Sequence, residues 1–309
     1  MQEVFAVPDT PQFSHDLPNI FSSIADARDA FELLNRKCVN HYRIIMQSVS
    51  PTDGSEMSQY LLRQYEACFD RWCIAFSRFE ESRGDSLTTK ERIGLKLLNM
   101  HKHNTMMYLE YVNVCETERY SGIAPTFSWD KFNAQFAEIV SLAASIVSNQ
   151  DTGSSTATSV RPLFSLDNGI IAPLYEVATL CRDPVIRRKA VQILRSAPRQ
   201  EGVFNSHLSA MVAEKVIEIE EAAALKAVSD YSDFPLESAL SGQELEKNVN
   251  TITDSTQIPD GVRLTYAHPK FNVAEKKVFL TVGQTAKMHM KMHMDIPWSN
   301  MNFLVDAET

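Results

Sequence analysis

The 309-residue sequence lacks several patterns by which enzymes are commonly recognised. Its 10 glycines never form G-x-G-x-x-G or G-x-x-x-x-G-K, so no glycine-rich phosphate loop is present. The zinc-protease pattern H-E-x-x-H and the hydrolase pattern G-x-S-x-G are also missing. These absences argue against the common nucleotide-binding enzymes and against those two classes of hydrolase, although an enzyme with a dispersed site stays open.

The chain also lacks features of membrane and secreted proteins. The first residues, MQEVFAVPDTPQ, have neither a basic start nor a long apolar run, and so differ from a signal peptide. The longest strongly apolar stretch, near Ile139 to Val147, is too short to span a bilayer and favours a buried helix. The 5 cysteines are widely scattered and odd in number, which is typical of free thiols in a reducing compartment. No Asn-x-Ser/Thr site occurs, which agrees with an intracellular protein.

The charge pattern has one basic segment in an acidic chain. A net charge of -9 argues against the whole surface being a nucleic-acid footprint. Residues 181–199 nevertheless carry Arg182, Arg187, Arg188, Lys189, Arg195 and Arg199. This segment either binds nucleic acid or an acidic partner, or pairs with the later acidic run Glu214, Glu218, Glu220 and Glu221. We favour pairing of Arg187 or Arg188 with Glu220 or Glu221, because the planar guanidinium can meet a carboxylate twice.

Apolar residues that recur at steps of three and four predict a mainly α fold, an antiparallel multi-helix array. Helix caps are predicted at Ser23, at Ser128, at Asp183 before Pro184, and at Thr88, which forms a capping box with Glu91. The other predicted helices run from about Ser58 to Glu81, from Pro173 to Leu180 and from about Ser206 to Ala224. The helix after Thr88 is expected to reach about Cys115.

Composition divides the chain into four segments. Residues 1–20 hold several prolines and are predicted to form an extended arm, and residues 21–228 form the helical domain, with the polar stretch 149–160 as a linker inside it. Residues 229–260 are polar, acidic and loop-like. Residues 261–309 are predicted to form a small C-terminal β-sheet or hairpin, with strands at 262–266, 277–282 and 287–294.

Two groups of residues resemble metal sites. The segment KMHMKMHM, residues 287–294, carries histidine and methionine, which can bind copper. Its strict alternation predicts a strand, in which His289 and His293 lie about 13 Å apart, at roughly 3.3 Å per residue, too far for one ion. His101 and His103 are two apart on a predicted helix and therefore point to different sides. We predict no metal and no cofactor.

Cys181 has a catalytic and a structural interpretation. Beside Arg182 it resembles an activated nucleophile, but no local pattern provides the oriented base that such a cysteine needs. We favour a small buried residue at a helix end. We therefore predict no catalytic residue and interpret the chain as a protein that is not an enzyme.

The aromatic residues Phe69, Trp72, Phe76 and Tyr108 also have two interpretations. They either line a cavity for a small effector or form the hydrophobic core. We favour the core.

The most distinctive segment is FSLDNGIIAPLYEVATLCRDPVIRRKAVQILRSAPRQEGVFNSHLSAMVAEKVIEIEE, residues 164–221. It resembles the C-terminal part of the regulatory region of fungal-specific transcription factors with a binuclear zinc cluster. FSSIADARDAFELLNRKCVNHYR, residues 21–43, is similar to the first helix of that region. The likeness spans roughly residues 20–225 and is specific only in the 164–221 segment. The family-motif residues matched are Asp167, Gly169, Pro173, Cys181, Arg182, Asp183, Pro184, Arg187, Arg188, Glu201, Gly202, Glu220 and Glu221.

The sequence departs from that family in one large respect. The zinc cluster needs two closely spaced groups of cysteines, whereas these residues contain no Cys-x-x-Cys. We expect either a fragment of a longer zinc-cluster protein or a relative without the finger, and no direct sequence-specific DNA binding by this chain.

The resemblance implies a regulatory domain in the nucleus, or in the cytoplasm, that acts through protein partners or a small effector. Because the apolar stretches of the chain are short, we also expect no membrane association. The resemblance also implies control of a fungal biosynthetic gene cluster in secondary metabolism, and a homodimer is compatible with it. The alternatives are a helical protein-interaction scaffold without a ligand and an enzyme with a dispersed active site.

Overall fold

The chain is mainly α, as the sequence predicts. The structure is a computed structural model, and it describes residues 17–47, 55–121, 127–151, 163–165, 169–202, 204–229, 252–264, 266–272, 277–284 and 287–294. The chain forms two compact units, Met1–Phe127 and Ser128–Thr309. The segment limits expected from composition, at residues 20, 228 and 260, stay predictions.

Three long helices form the described part of the first unit. They are α1 (Ile24–Gln47), α2 (Ser55–Arg83) and α3 (Thr89–Ser121). Trp72 of α2 is fully buried, its indole N–H donates to the Ala27 carbonyl of α1 at 2.9 Å, and its ring stacks on Phe76 at 4.7 Å between centroids. Phe69 is buried in the same cluster, so the core interpretation is confirmed for Phe69, Trp72 and Phe76, whereas Tyr108 is only half-buried.

Local signals fix where these helices begin. The Ser23 hydroxyl accepts the Asp26 backbone N–H at 3.1 Å at the start of α1. Thr88 and Glu91 form the predicted reciprocal box: the Thr88 N–H donates to Glu91 Oε2 at 2.9 Å, and the Glu91 N–H donates to Thr88 Oγ1 at 3.3 Å. The predicted caps at Ser23 and Thr88 are therefore confirmed. Helix α2 is longer than the predicted Ser58–Glu81, and α3 continues past Cys115 to Ser121.

In the described part of the second unit, four helices lie beside two small sheets. After a 3₁₀ turn (Trp129–Phe132) capped by Ser128 come α4 (Asn133–Asp151), β1 (Leu163–Ser165), α5 (Ile171–Leu180), α6 (Pro184–Ser196), β2 (Arg199–Glu201), β3 (Phe204–Asn205) and α7 (Ser206–Ser229). Strand β1 pairs with β2 in parallel, and β2 pairs with β3 as a hairpin. Gly202 in the hairpin turn has φ 53°, which glycine adopts without steric strain.

Helix α4 corrects the predicted linker 149–160, because residues 149–151 are helical. Residues 152–160 lie outside the described residues. Of the predicted loop 229–260, Ser229 belongs to α7, residues 230–251 lie outside the description, and residues 252–260 contain 3₁₀ turns.

The C-terminal sheet is a three-stranded antiparallel meander. Its strands are β4 (Tyr266–Asn272), β5 (Lys277–Gln284) and β6 (Lys287–Met294). The second and third predicted strands are confirmed, but the predicted strand 262–266 is wrong, since only Tyr266 lies in β4. Val262 ends a 3₁₀ turn, and the backbone of Leu264 bonds to two charged side chains instead of to a neighbouring strand.

Apolar side chains join this sheet to α7. Leu264, Leu280 and Val282 pack on a face of α7 in one buried cluster, whose helical members are Val212, Val216 and Ile219. Across the ranges given above, no helix combines the length and the apolar character that crossing a bilayer needs.

Candidate functional site

A buried charge network lies between α6 and α7. Arg187 of α6 donates from Nη1 to Glu220 Oε2 at 3.0 Å and from Nη2 to Glu221 Oε1 at 2.6 Å. The side chains of Arg187 and Glu220 are both 0% exposed. The predicted pairing of the arginine-rich and glutamate-rich helices is thereby confirmed.

Arg182, which follows α5, completes the network. Its Nη2 lies 2.8 Å from Glu220 Oε1 and donates to the Leu264 carbonyl at 2.9 Å, while Nη1 donates to the Thr179 carbonyl at 2.6 Å. The Leu264 N–H in turn donates to Glu220 Oε1 at 2.9 Å. Burial holds the pKa of Arg182 below its ordinary value, and the adjacent Glu220 carboxylate opposes that shift.

Two further arginines form the outer part of the network. Arg188 Nη2 contacts both oxygens of Glu221, at 2.7 and 2.8 Å, and Nη1 donates to the Ile252 carbonyl at 3.4 Å. Arg195 pairs with Glu214 nearer the C-terminal end of α6. The basic segment of the sequence is therefore largely engaged in contacts within the chain.

Charge reversal tests the outer pair. We expect Arg188→Glu to destabilise the fold by about 1 kcal/mol, because this pair is partly exposed. Glu221→Arg should cost more, about 3 kcal/mol, because fully buried Arg187 also loses a partner. In the double variant the reversed charges can pair again, so its loss in free energy of unfolding should be smaller than the sum of the two single losses. Chemical denaturation followed by circular dichroism measures all three, and simple additivity would contradict direct pairing.

Glu201 closes the N-terminus of α5. Its carboxylate accepts backbone N–H groups from Gly169, Ile170 and Ile171, at 3.2, 3.0 and 2.8 Å. These are donors that a helix start leaves unpaired. Burial raises the pKa of Glu201 above its ordinary value. The three N–H groups and Arg199, whose Nη1 lies 3.9 Å from Glu201 Oε1, oppose that rise without cancelling it.

Gly169 is required for this contact. A Cβ at position 169 would lie 2.2 Å from Glu201 Oε1 and 2.5 Å from Cδ. The sequence analysis names Gly169 and Glu201 only as family-motif residues and does not predict their contact, because the two residues are far apart in the chain.

Cys181 is a buried residue at the end of α5, as predicted. Its side chain is 0% exposed, and its thiol contacts the Asn133 side-chain oxygen at 3.5 Å. Burial raises the pKa of the thiol to about 12. Beside it, the Asp183 carboxylate accepts the Val185 and Ile186 N–H groups at 2.9 Å, which confirms the predicted cap before Pro184.

The thiol is expected to be unreactive in the folded chain. With a pKa of about 12, the thiolate fraction at pH 8 is about 10⁻⁴. We expect iodoacetamide to label Cys181 at least about a hundredfold more slowly in the native chain than in urea. Peptide mapping by mass spectrometry measures the two rates, and equal rates would contradict the burial.

An open groove of about 680 Å³ lies beside the network, between α6 and α7. Apolar Val191 and Ile217, each 7% exposed, contribute to its lining, and its charged residues include the pairs Arg188–Glu221 and Arg195–Glu214. An apolar lining with paired charges suits binding better than acid–base chemistry.

The other residues predicted from the family motif are placed as follows. Pro173 is buried in the first turn of α5, Gly202 lies in the β2–β3 turn, and Asp167 lies outside the described residues. The sequence did not predict that the carbonyls of Leu264 and Ile252 accept hydrogen bonds from arginines, since no side-chain pattern marks a main-chain acceptor. Among the described residues, no group of three or more His, Cys, Asp and Glu could hold a metal ion.

Comparisons with known proteins give one partial similarity. The chain is 37% identical over 70 residues to the aspercryptin biosynthesis cluster-specific transcription regulator atnN of Emericella nidulans. The matched stretch covers 22% of this chain and 12% of that regulator. No family model matches, and no solved structure matches. A region of this chain is thus similar to a fungal transcription regulator.

Proposed function

We propose that this chain is a non-enzymatic regulatory domain of the kind found in fungal transcription regulators, acting in the nucleus through protein partners. The observation that carries the proposal is the 37% identity over 70 residues to a biosynthesis-cluster regulator. The match covers only 12% of the regulator. We therefore include control of a biosynthetic gene cluster as a proposal for this chain.

The site supports a binding role. Arg182, Arg187 and Glu220 are nearly or fully buried and bond to one another and to the backbone. Buried ion pairs of this kind hold elements in a fixed arrangement, and removing one partner is costly. These groups therefore support a structural role in shaping a surface for a partner.

The groove favours a protein partner over a small effector. Small-molecule sites are enclosed and have converging polar groups, whereas this groove is open and its arginines are paired. A scaffold without any regulatory output is the second candidate, and the densely filled aromatic core around Trp72 favours it over an effector cavity in the first unit.

A tethering assay tests the proposal. The whole chain is fused to a heterologous DNA-binding domain in a filamentous fungus, upstream of a reporter gene. We expect a several-fold change in reporter output, either up or down, and reduction of that change by the double variant Val191→Ala/Ile217→Ala in the groove.

The matched control is Val185→Ala, which alters a side chain that is 75% exposed on the same helix and is not among the groove residues. It should leave the output unchanged. A well-expressed, folded fusion with no effect on the reporter would contradict a regulatory function and would favour the plain scaffold.

A further inference from the structure

We propose that Arg182, Glu220 and Asp130 form a peptide-recognition site, which the chain's own Arg263 and Leu264 occupy in cis. The partner it fits is an extended segment of another protein that carries a basic residue followed by an apolar one. This inference goes beyond the proposed function, because it names a peptide site whose residues differ from those that line the groove between α6 and α7.

The site binds both main-chain polar groups of one residue, Leu264. Glu220 Oε1 accepts the Leu264 N–H at 2.9 Å, and Arg182 Nη2 donates to the Leu264 carbonyl, also at 2.9 Å. In a β-sheet, a neighbouring strand would bind the same backbone N–H and carbonyl groups. Extended peptides are commonly held by such main-chain bonds, with side-chain pockets adding specificity.

The two side chains of the occupying segment enter different environments. Leu264, 3% exposed, packs in the apolar cluster with Val212, Val216 and Ile219 of α7. Arg263 Nη2 lies 2.7 Å from Asp130 Oδ2 in a partly buried ion pair. The chemistry therefore selects a basic residue followed by an apolar residue.

One acceptor at this site remains unused. Asp130 Oδ1 is buried and accepts no hydrogen bond from the part of the chain that the structure describes. A carboxylate can receive two parallel bonds from one guanidinium. The arginine of an incoming segment therefore has an acceptor that the resident segment leaves unfilled.

The occupying segment has little regular structure of its own. Between Ile252 and Leu264 the described backbone contains only two 3₁₀ turns, Ser255–Gln257 and Asp260–Val262. Contacts from elsewhere help to hold it: Arg188 bonds the Ile252 carbonyl, and Tyr175 bonds the Ala267 carbonyl just beyond it. The segment also has bonds of its own, among them those of the Gln257 side chain to Thr253 and Asp254 and those of Arg263 to the Ile258 and Ser255 carbonyls. Because these bonds lie within the segment, another segment with the same chemistry can replace it without unfolding the helices that bind it.

A fluorescence-polarisation experiment tests the site. The probe is a fluorescein-labelled synthetic peptide of residues 258–269. The hosts are the whole unaltered chain and the whole chain with Arg263→Ala/Leu264→Ala, which weakens the resident segment. We expect the altered host to bind the probe at least about tenfold more tightly, because a tethered segment competes at a high effective concentration.

Two probe variants and one host variant provide the controls. A probe with Leu264→Pro lacks the N–H that Glu220 accepts and should bind at least about tenfold more weakly, whereas a probe with Leu264→Met should bind as the parent does. Asp130→Asn in the altered host should reduce binding of the parent probe but not of a probe with Arg263→Ala. Circular dichroism confirms that each host is folded.

If the double variant does not fold, Arg263→Ala alone serves as the host, since it removes the bonds of Arg263 to Asp130 and to the Ile258 and Ser255 carbonyls but keeps Leu264, and intermediate affinity is expected. Equal binding of the proline and parent probes, or no binding to a folded altered host, would overturn the proposal. An exchanged dimer of the unaltered chain, seen by light scattering, would overturn it as well, because the site would then serve a second copy. The tethering assay has an independent readout, so failure here leaves the regulatory function standing.

Discussion

Replacing Glu220 by alanine is expected to destabilise the second unit by about 3–5 kcal/mol, the usual effect of breaking a buried ion pair. Glu220 is 0% exposed and is shared by Arg182, Arg187 and the Leu264 N–H. Its loss leaves two buried cations short of a partner and one buried N–H without an acceptor. Urea denaturation followed by circular dichroism measures the change in the free energy of unfolding.

The matched control for this variant lies on the same helix. Glu218 is 64% exposed and pairs only with Lys215 one turn away among the ion pairs of the described residues. Glu218→Gln should change the free energy of unfolding by less than about 0.5 kcal/mol. The loss in free energy of unfolding for Glu220→Gln should lie between the losses for Glu220→Ala and Glu218→Gln, because the amide oxygen of the glutamine can still accept the Leu264 N–H. A loss below about 1 kcal/mol for Glu220→Ala would show that the network does not hold the helices together.

Replacing Glu201 by alanine is also expected to have a large effect, lowering the free energy of unfolding by about 3 kcal/mol. Three backbone N–H groups at the start of α5 lose their acceptor, and each buried unpaired donor costs about 1–3 kcal/mol before relaxation. Arg199, 7% exposed, also loses its carboxylate neighbour. Glu201→Gln should cost less, because one oxygen remains and the buried negative charge is removed. Thermal and urea denaturation of the same variants provide the measurement.

Gly169→Ala tests the same contact from its other side. The added Cβ would collide with the Glu201 carboxylate, which three hydrogen bonds and burial keep from moving. We expect a loss of about 2 kcal/mol in the unaltered chain and a smaller loss in the Glu201→Ala background. Equal losses in both backgrounds would mean that the collision does not occur.

Local features of the fold were the most predictable from sequence. The caps at Thr88 and Asp183 depend on residues within a few positions, so their patterns identify them directly. The pairing of Arg187 or Arg188 with Glu220 or Glu221 was also predictable, because oppositely charged amphipathic helices joined by a short connection commonly lie side by side. Which arginine meets which glutamate was left open by the sequence.

Contacts that depend on distant backbone were not predictable. The Arg182 side chain meets the Leu264 carbonyl across 82 positions, and no residue pattern marks a main-chain acceptor. For the same reason the strand 262–266 was predicted wrongly, since its β-prone residues give no sign that side chains would bind its backbone. The pairing of β1 with β2 was missed because such short strands carry little periodicity.

The close approach of Gly169 to Glu201 also bears on how relatives of this chain can be compared. Any side chain at position 169 displaces the carboxylate, and any loss of the carboxylate frees the space that glycine provides. The two positions should therefore change together during evolution, so glycine and glutamate are expected to be retained or lost as a pair.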